Sequence, residues 1–463
     1  MQVTVAEMMA AREARAQMQR TLLSRYPGAV LVCLTMNIAG PVKTDAQIER
    51  AFAWGKAQIR AILAPQAPCF EAEIHEKTGP EAVFAIRGGA GEIKQRLCAL
   101  EDGCPMGRLL DIDVLAPDGE KLSRTAFGLP PRRCLLCGEV AAVCARSRAH
   151  SAQALFERAQ SIIRGHFADA FAQKTAQLAQ RALLTEAALA PKPGLVDRLN
   201  PGAHRDMDLF TFIDSACALR PYFEQCVRIG MAHGAGEEER CFDSLRVPGL
   251  LAEAKMREAT GGVNTHKGAV FSMGVFCASL GMGFDGERSD AQAALSRCAA
   301  MTRARMAQEL SRCAKEEGGT AGERLYREQG VGGVRAEAAG GFASVREAGL
   351  PRLQACLAAG MDFEAAALCA LVALMARAQD TNALRRGGAE GAQRLRERAV
   401  QMDASLYARL GAGPVDAAAE SARIRSALSR WDAELSAQGI SPGGCADMLA
   451  LTLLAHFSDY SPR

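Results

Sequence analysis

Apolar positions along this chain follow two regimes. Up to about residue 116 short apolar or alternating runs are interleaved with helical ones, and after Pro130 and Pro131 only the helical spacing continues. Residues 1 to 25, with Met8, Met9, Ala16 and Leu22 among charged positions, read as an amphipathic helix that Pro27 and Gly28 end. The β-branched run Ala29 to Ile38 predicts a buried strand, after which Thr44 or Asp45 can cap a helix to about Leu63. Cys69 to Lys77 and Ala82 to Arg87 predict two strands joined as a hairpin at Thr78, Gly79 and Pro80. A glycine-rich turn, Gly88 to Gly91, then starts a helix to about Glu101, and Arg108 to Ala116 predicts one more strand. Strand, helix, strand, strand, helix, strand fits a ferredoxin-like split βαβ sheet, with another mixed α/β sheet as the alternative.

The rest reads as helices at 176 to 190, 208 to 232, 244 to 260, 267 to 281, 289 to 314, 347 to 359, 361 to 378, 389 to 409, 416 to 438 and 444 to 456, with a long glycine-rich loop from Glu317 to Ser344. The expectation is two domains: an α/β (α+β) N-terminal domain with a mixed sheet over 1–165 and an all-α domain over 176–463. The boundary falls near Gly165 to Thr175, and one continuous helix can cross it. At 463 residues the chain is too long for a single core.

Composition narrows the class. Net charge is only +3 and no basic run carries interleaved aromatics, which argues against nucleic-acid binding. The longest apolar run, Ala365 to Ala376, is too short to span a bilayer and predicts a buried helix. Glu7, Arg12 and Glu13 stand where a signal peptide needs an apolar block, and 16 cysteines lack a compact framework, so reduced thiols in the cytoplasm are expected.

The candidate chemistry lies in a few polar stretches. Asp111 and Asp113, in GRLLDIDVL, are two apart on a predicted strand, so both carboxylates face one way while Leu110, Ile112 and Val114 face the core. Such a pair can hold magnesium for phosphoryl or nucleotidyl transfer, although any half-exposed strand shows the same alternation. Arg108, Arg124 and Arg132, with Arg133, Arg146 and Arg148 close in sequence, suit a polyphosphate or a solvated face. Cys134, Cys137, Cys144 and His150 have ligand-like spacing, but the same spacing puts the cysteines on one face of a single helix. The compact second knuckle of familiar zinc modules is missing, so structural zinc is not expected.

In the helical part the stretch PKPGLVDRLNPGAHRDMD, Pro191 to Asp208, is too proline-broken and charged to be core, and reads as a functional loop on a rigid scaffold. It brings Lys192, Asp197, Arg198, His204, Asp206 and Asp208 together, with Glu186 just before it. Of Asp206 and Asp208, at the entry to a helix, one can cap and the other can ligate a cation. TGGVNTHKGAVF supplies Asn264, His266 and Lys267 at a helix start, where backbone amides favour anions. Arg335 and Glu337, then Asp380, Asn382, Arg385 and Arg386 in QDTNALRRGG, and finally SPGGCADMLALT from Ser441 complete the set. Each alone could be a cap or a surface charge. Together they suit a metal-bound triphosphate, with Asp206 and Asp208 as metal candidates.

Two family resemblances join these pieces. PGAVLVCLTMNIAGPVK, MGRLLDIDVL and PPRRCLLCGEVAAVCARSRAHS resemble the apo-citrate lyase phosphoribosyl-dephospho-CoA transferases, also called holo-acyl-carrier-protein synthases of citrate lyase, over about residues 20 to 151. PKPGLVDRLNPGAHRDMD, TGGVNTHKGAVFSMG, DTNALRRGG and SPGGCADMLALT resemble the triphosphoribosyl-dephospho-CoA synthases over about residues 178 to 456. The resemblance implies a bifunctional transferase. The helical domain would join 3'-dephospho-CoA to the ribose of ATP and release adenine, with Asp197, His204, Asp206 and Asp208 in catalysis and Lys192, His266 and Lys267 on phosphates. The first domain would transfer the product to a serine of the apo acyl carrier subunit of citrate lyase, with Asp111 and Asp113 holding Mg2+. Malonate decarboxylase maturation, or a non-catalytic scaffold binding acyl carrier protein, are the alternatives. Where the synthase family is expected to read RGE this chain has Arg335, Ala336 and Glu337, which implies a reshaped loop.

Overall fold

The computed structural model describes residues 2–313, 327, 331–413 and 415–460. Its contacts divide the chain into two compact units, Met1–Asp169 and Ala170–Arg463.

The first unit runs α1 (Val5–Arg25), β1 (Val30–Met36), α2 (Ala46–Leu63), β2 (Phe70–Glu76), β3 (Gly79–Ile86), α3 (Ala90–Gly103) and β4 (Leu110–Leu115). The strands form one sheet in the order β2-β3-β1-β4, and every neighbouring pair is antiparallel. The sheet is thus antiparallel where a mixed one was expected. β1 and β2 run the same way with β3 between them, which is the split βαβ order. Val30, Val32, Leu34, Phe84, Ile86, Ile112 and Val114 bury one sheet face against Phe52, Ile59 and Leu63 of α2 and Ile93 and Leu97 of α3. The opposite face puts Leu31, Cys33, Val83 and Ala85 against Leu22 of α1. Pairing of Cys33 with Asp113 and Thr35 with Asp111 fixes both aspartates on that second face of the edge strand β4.

Two helices follow, a short α4 (Ala141–Ser147) and the long α5 (Ala152–Ala188), which begins in the first unit and ends in the second. Only Cys144 of the cysteine set is helical, because Cys134 and Cys137 precede α4 in a turn; the single-helix reading of that segment does not hold.

The second unit continues with α6 (Leu209–Met231), α7 (Glu238–Ser244), α8 (Arg246–Ala259), α9 (Lys267–Met282) and α10 (Ala291–Cys313). It then has α11 (Gly333–Ala339), a π-turn at Val345–Gly349 that leads into α12 (Leu350–Ala358), α13 (Phe363–Arg377), α14 (Thr381–Gly411), α15 (Ala417–Gln438) and α16 (Gly443–Tyr460). Among its described residues there is no strand. Part of the expected loop from Glu317, residues 317–326 and 328–330, lies outside the described residues, and another part is α11. Ala336 sits inside that helix, so alanine needs no unusual backbone there and the expected reshaping is not required. The helix expected from residue 389 starts earlier, at Thr381, because Asp380 caps it; Gly388, at φ 65, interrupts it.

α9 and α13 are the interior of this unit, buried on all sides from Ala269 to Val270 and Ser272 to Gly281 and from Ala365 to Met375. α6 lies against α9 at backbone contact. A Cβ on Gly230 would sit 1.9 Å from Ala278 O, and one on Gly281 would sit 2.1 Å from Val227 O. No side chain can move away from these contacts because both partners are main chain. Gly230→Ala is therefore expected to lower unfolding stability by roughly 3 kcal/mol, the upper end of ordinary overpacking costs, read as a shift of the urea midpoint; an unchanged midpoint would mean the two helices are not this close.

Candidate functional site

The stretch from Pro191 to Asp208 has no regular structure, yet its backbone donors are met by buried carboxylates. Asp197, 2% exposed, accepts from Lys192 N–H at 2.9 Å with Oδ2 and from Leu199 and Asn200 N–H at 2.7 and 3.0 Å with Oδ1. Asp432 on α15 accepts from Gly194 N–H and from Asn200 Nδ2, each at 2.9 Å. Gly194 is required here: its φ is 70, and a Cβ would lie 2.2 Å from Ile440 O. Lys192 is buried, and its ammonium donates to the backbone carbonyl and the carboxylate of Glu186. Asp197 and Lys192 thus hold the loop's shape, and neither lines the cavity beside it.

That cavity has a volume of about 380 Å³ and gathers the end of the loop, the starts of α9 and α16, the first turns of α14 and Glu186 of α5. From the loop come His204 and Asp206; from the start of α9 come Asn264, His266 and Lys267; from α14 come Asn382, Arg385 and Arg386. Ser441 and Asp447 also line it. Asp380 makes this convergence possible. Its Oδ1 caps α14 through Asn382 and Ala383 N–H, at 2.8 and 2.9 Å, and its Oδ2 accepts from Cys445 N–H of α16 at 2.7 Å. Gly268 lets α9 approach α16, since a Cβ there would lie 2.0 Å from Asp447 Oδ2.

Two imidazoles line the cavity in neutral form. Arg386 donates to His204 Nδ1 at 3.2 Å, so the ring proton is on Nε2, which meets Ser441 Oγ at 2.9 Å. Burial, and then the nearby Arg386 charge, bring His204 down to about 4. His266 is 2% exposed and edge-on to Phe212, with ring centroids 4.9 Å apart. Thr265 gives its hydroxyl proton to Ser215 Oγ at 2.8 Å, and Ser215 in turn meets His266 Nδ1 at 2.6 Å, which leaves the ring proton on Nε2. That Nε2 is buried without a protein partner. Burial, then Lys192, bring this ring down to about 3.

The acids differ by environment. Burial pushes Glu186 upward despite Lys192. Asp447 is raised well above the usual range by burial and then by Glu186 and Asp380. Asp206, its side chain 65% exposed, stands in the open part of the cavity. Carboxylates whose protonated form burial favours are suited to hold or move a proton.

The remaining candidates are placed elsewhere. Asp208 caps α6 in a capping box with Thr211 and is not in the lining. Arg198 pairs with Glu364 and with Ala188 O. Glu337 accepts from Ser344 N–H at 3.2 Å, and Arg335 Nε lies 3.5 Å from Glu309. Neither is in the lining. Conversely, Asp447 and Ser441 are cavity residues that sequence pattern marks only as part of a segment. A lone acid one turn into an apolar helix, in CADMLALT, was the available signal.

In the first unit a cavity of about 570 Å³ is lined by Arg108, Arg132, Arg133 and Arg148 beside Cys134, Cys144 and His150. Asp111 and Asp113 lie outside that lining. Asp113 meets Lys121 Nζ at 2.6 Å, and Asp111 lies 3.6 Å from Arg132, which links Asp111 to the arginine-lined cavity. Arg132 also pairs with Glu101 at 2.5 Å, as Arg124 does with Asp102, and Arg124 is not in the lining. Two carboxylates on one face, one of them exposed, are a hard-oxygen donor set that fits magnesium when phosphate oxygens supply the rest. The cavity of the second unit offers Asp206 for this purpose and not Asp208. No helix among the described residues is long and apolar enough to cross a membrane.

Comparison with known proteins divides the chain in the same two stretches. Residues 172–461 match the family model described as ATP:dephospho-CoA triphosphoribosyl transferase, and residues 3–166 match that of apo-citrate lyase phosphoribosyl-dephospho-CoA transferase. Protein CitXG of Haemophilus influenzae is 34% identical over 460 residues, which cover 97% of this chain and 95% of that protein. Protein CitXG of Leuconostoc mesenteroides subsp. cremoris is 34% identical, with 81% of this chain and 82% of the relative covered. The 2-(5''-triphosphoribosyl)-3'-dephosphocoenzyme-A synthase of Pectobacterium atrosepticum is 41% identical over 61% of this chain and 88% of its own length.

The imidazole environments set a pH dependence. A histidine whose folded value lies below its unfolded one contributes stability that is complete above the unfolded value and is lost as pH falls. His204 should therefore lose the second unit stability as pH falls from about 6.5 toward about 4. His204→Gln should flatten that part of the urea-midpoint profile; an unchanged slope would mean the ring is not buried neutral.

Proposed function

We propose, for a chain that belongs to the CitXG family and carries both of its transferase parts, that one polypeptide makes the citrate lyase prosthetic-group precursor and attaches it. The second unit, within which residues 176–463 form the synthase domain, joins ATP and 3'-dephospho-CoA to give 2'-(5''-triphosphoribosyl)-3'-dephospho-CoA and adenine. The first unit, within which residues 1–165 form the transferase domain, transfers the phosphoribosyl-dephospho-CoA group to a serine of the acyl carrier subunit and releases pyrophosphate. Both steps use soluble cytoplasmic substrates.

The observation that carries the first step is the cavity in which a helix start, three cationic side chains and two burial-raised acids converge. Lys267, Arg385 and Arg386 hold the triphosphate with the amides at the start of α9. His204 stays neutral and fixes Arg386 between Ala203 O and its own Nδ1. His266 gives its unpartnered Nε2–H to the bound nucleotide, and because it cannot take a second proton at neutral pH it acts as a donor only. At the reacting centre the bond from ribose C1' to adenine breaks and a bond from the 2'-oxygen of dephospho-CoA forms. The hydroxyl proton passes to a carboxylate and adenine leaves with a proton. Glu186 and Asp447 are the pair placed to take and give those protons, and Asp206 faces the developing positive charge on the sugar. Asp197, Lys192 and Asp380 position these groups through the backbone.

In the first unit the carrier serine oxygen bonds to the α-phosphorus, its hydroxyl proton is released to water, and the bond to the departing pyrophosphate oxygen breaks. Arg108, Arg132, Arg133 and Arg148 receive the phosphates. Asp111 and Asp113 would hold a magnesium ion, which would supply neutralisation of phosphate charge.

Adenine release from ATP, dependent on dephospho-CoA, tests the first step. Asp447→Asn is expected to lower its rate by roughly 100-fold or more, as loss of an acid–base group does, with the fold intact by circular dichroism; a folded variant at the full rate would remove Asp447 from the chemistry. Asp111→Asn should abolish labelling of the carrier subunit while adenine release continues. Survival of both activities would overturn the metal assignment.

A further inference from the structure

Cys134, Cys137, Cys144 and His150 of the first unit are not used by either reaction, and their geometry is that of a ligand set. Arg133 and Val140 form an isolated antiparallel bridge, Cys134 N–H donates to Glu139 O at 2.6 Å, and Ala141 N–H donates to Arg132 O at 2.8 Å. These bonds close a tight turn over CLLCG. Gly138 takes the positive φ of 75 that the turn needs, and Leu136 N–H points at Cys134 Sγ at 3.5 Å. An amide aimed at the first sulfur of a Cys-x-x-Cys-Gly turn stabilises that sulfur as a thiolate. α4 then delivers Cys144, whose Sγ lies 3.3 Å from that of Cys137. The helix stops at Arg148, at φ 51, and Ala149 N–H returns to Cys144 O at 3.1 Å, which turns the chain back so that His150 reaches the sulfurs. The ligand atoms of Cys134, Cys137, Cys144 and His150 all lie within 4.8 Å of one another. His150 Nε2 is buried with no hydrogen-bond partner.

We infer that these four residues bind one zinc ion as a tetrahedral Cys3His structural site. At zinc–sulfur distances of about 2.3 Å, four ligands around one ion stand roughly 4 Å apart, between the 3.3 Å Cys137–Cys144 separation and the 4.8 Å limit of the set. Three soft sulfurs and an imidazole select zinc over magnesium. A fully occupied tetrahedron leaves no position for substrate, so the ion is structural. Its place is telling, because Cys134, Cys144 and His150 line the same cavity as Arg132, Arg133 and Arg148. The ion would lock the segment 132–150 that carries those arginines, a task for which this segment has little apolar burial of its own. Sequence spacing did not favour zinc, because it also fits one helix through all three cysteines and lacks the compact second knuckle of familiar zinc modules; the turn at Gly138 and the reversal at Arg148 remove the first objection, and His150 takes the place of a second knuckle. The inference stands whether or not the transferase reading does.

The test is metal analysis of the full-length chain purified without chelator. One zinc per chain is expected, with at least a tenfold fall in Cys137→Ser and Cys144→Ser and no change in Cys69→Ser, an exposed thiol outside the cluster. Because the cluster variants could lose the local fold, the unaltered chain loaded with cobalt(II) gives a second readout. Tetrahedral ligand-field bands with thiolate charge transfer support the site. A folded chain without zinc, a Cys137–Cys144 disulfide in its place, or octahedral cobalt spectra would overturn it.

Discussion

An irregular, proline-broken loop can sit inside a helical unit only if its backbone amides find acceptors, because unpaired buried donors each cost about 1–3 kcal/mol. Asp197 and Asp432 are those acceptors for Pro191 to Asp208. Asp197 closes the loop on itself, and Asp432 ties it to α15. Lys192, turned inward onto Glu186, neutralises part of the buried charge and fixes a cavity acid at the same time. The position of His204 and Asp206 beside the helix starts follows from these bonds. A loop held only by its prolines would have the right stiffness but no fixed place.

The second constraint is close backbone approach. Gly230 and Gly281 let α6 and α9 touch along main chain, and Gly268 lets the start of α9 meet Asp447. Asp380 then caps α14 and receives an amide from α16 with one carboxylate. Helix starts from three elements therefore meet at one cavity, which concentrates amide dipoles and cations where a triphosphate would lie. The same crowding excludes water from Glu186 and Asp447 and raises both.

Much of this was legible in the sequence. The strand and helix order of the first unit follows from periodicity, as does the buried helix around Ala365 to Ala376, and of the two caps offered, Thr44 or Asp45, the structure uses Asp45. Polar stretches at Pro191, Thr260, Gln379 and Ser441 pointed to the cavity because charge does not belong between apolar helices. What pattern could not separate was the role of each acid. Asp197, Asp206 and Asp208 look alike in sequence, yet one accepts three backbone amides, one stands open and one caps a helix. Asp447 was overlooked individually because a single acid in an apolar helix looks like a solvated position until Gly268 is seen against it. The placement of the cysteine set was not legible because helical spacing and ligand spacing coincide there, and the left-handed residues at Gly138 and Arg148 are what break the single helix.

The central claim is that the Pro191 to Asp208 loop and the starts of α9, α14 and α16 form a single ATP site. Amide hydrogen exchange of the full chain with and without saturating ATP and magnesium tests it most directly. The account predicts slowed exchange together at residues 203–207, 264–269, 382–386 and 441–447. Saturating ATP that leaves these four segments unchanged, or protects only one of them, would contradict it.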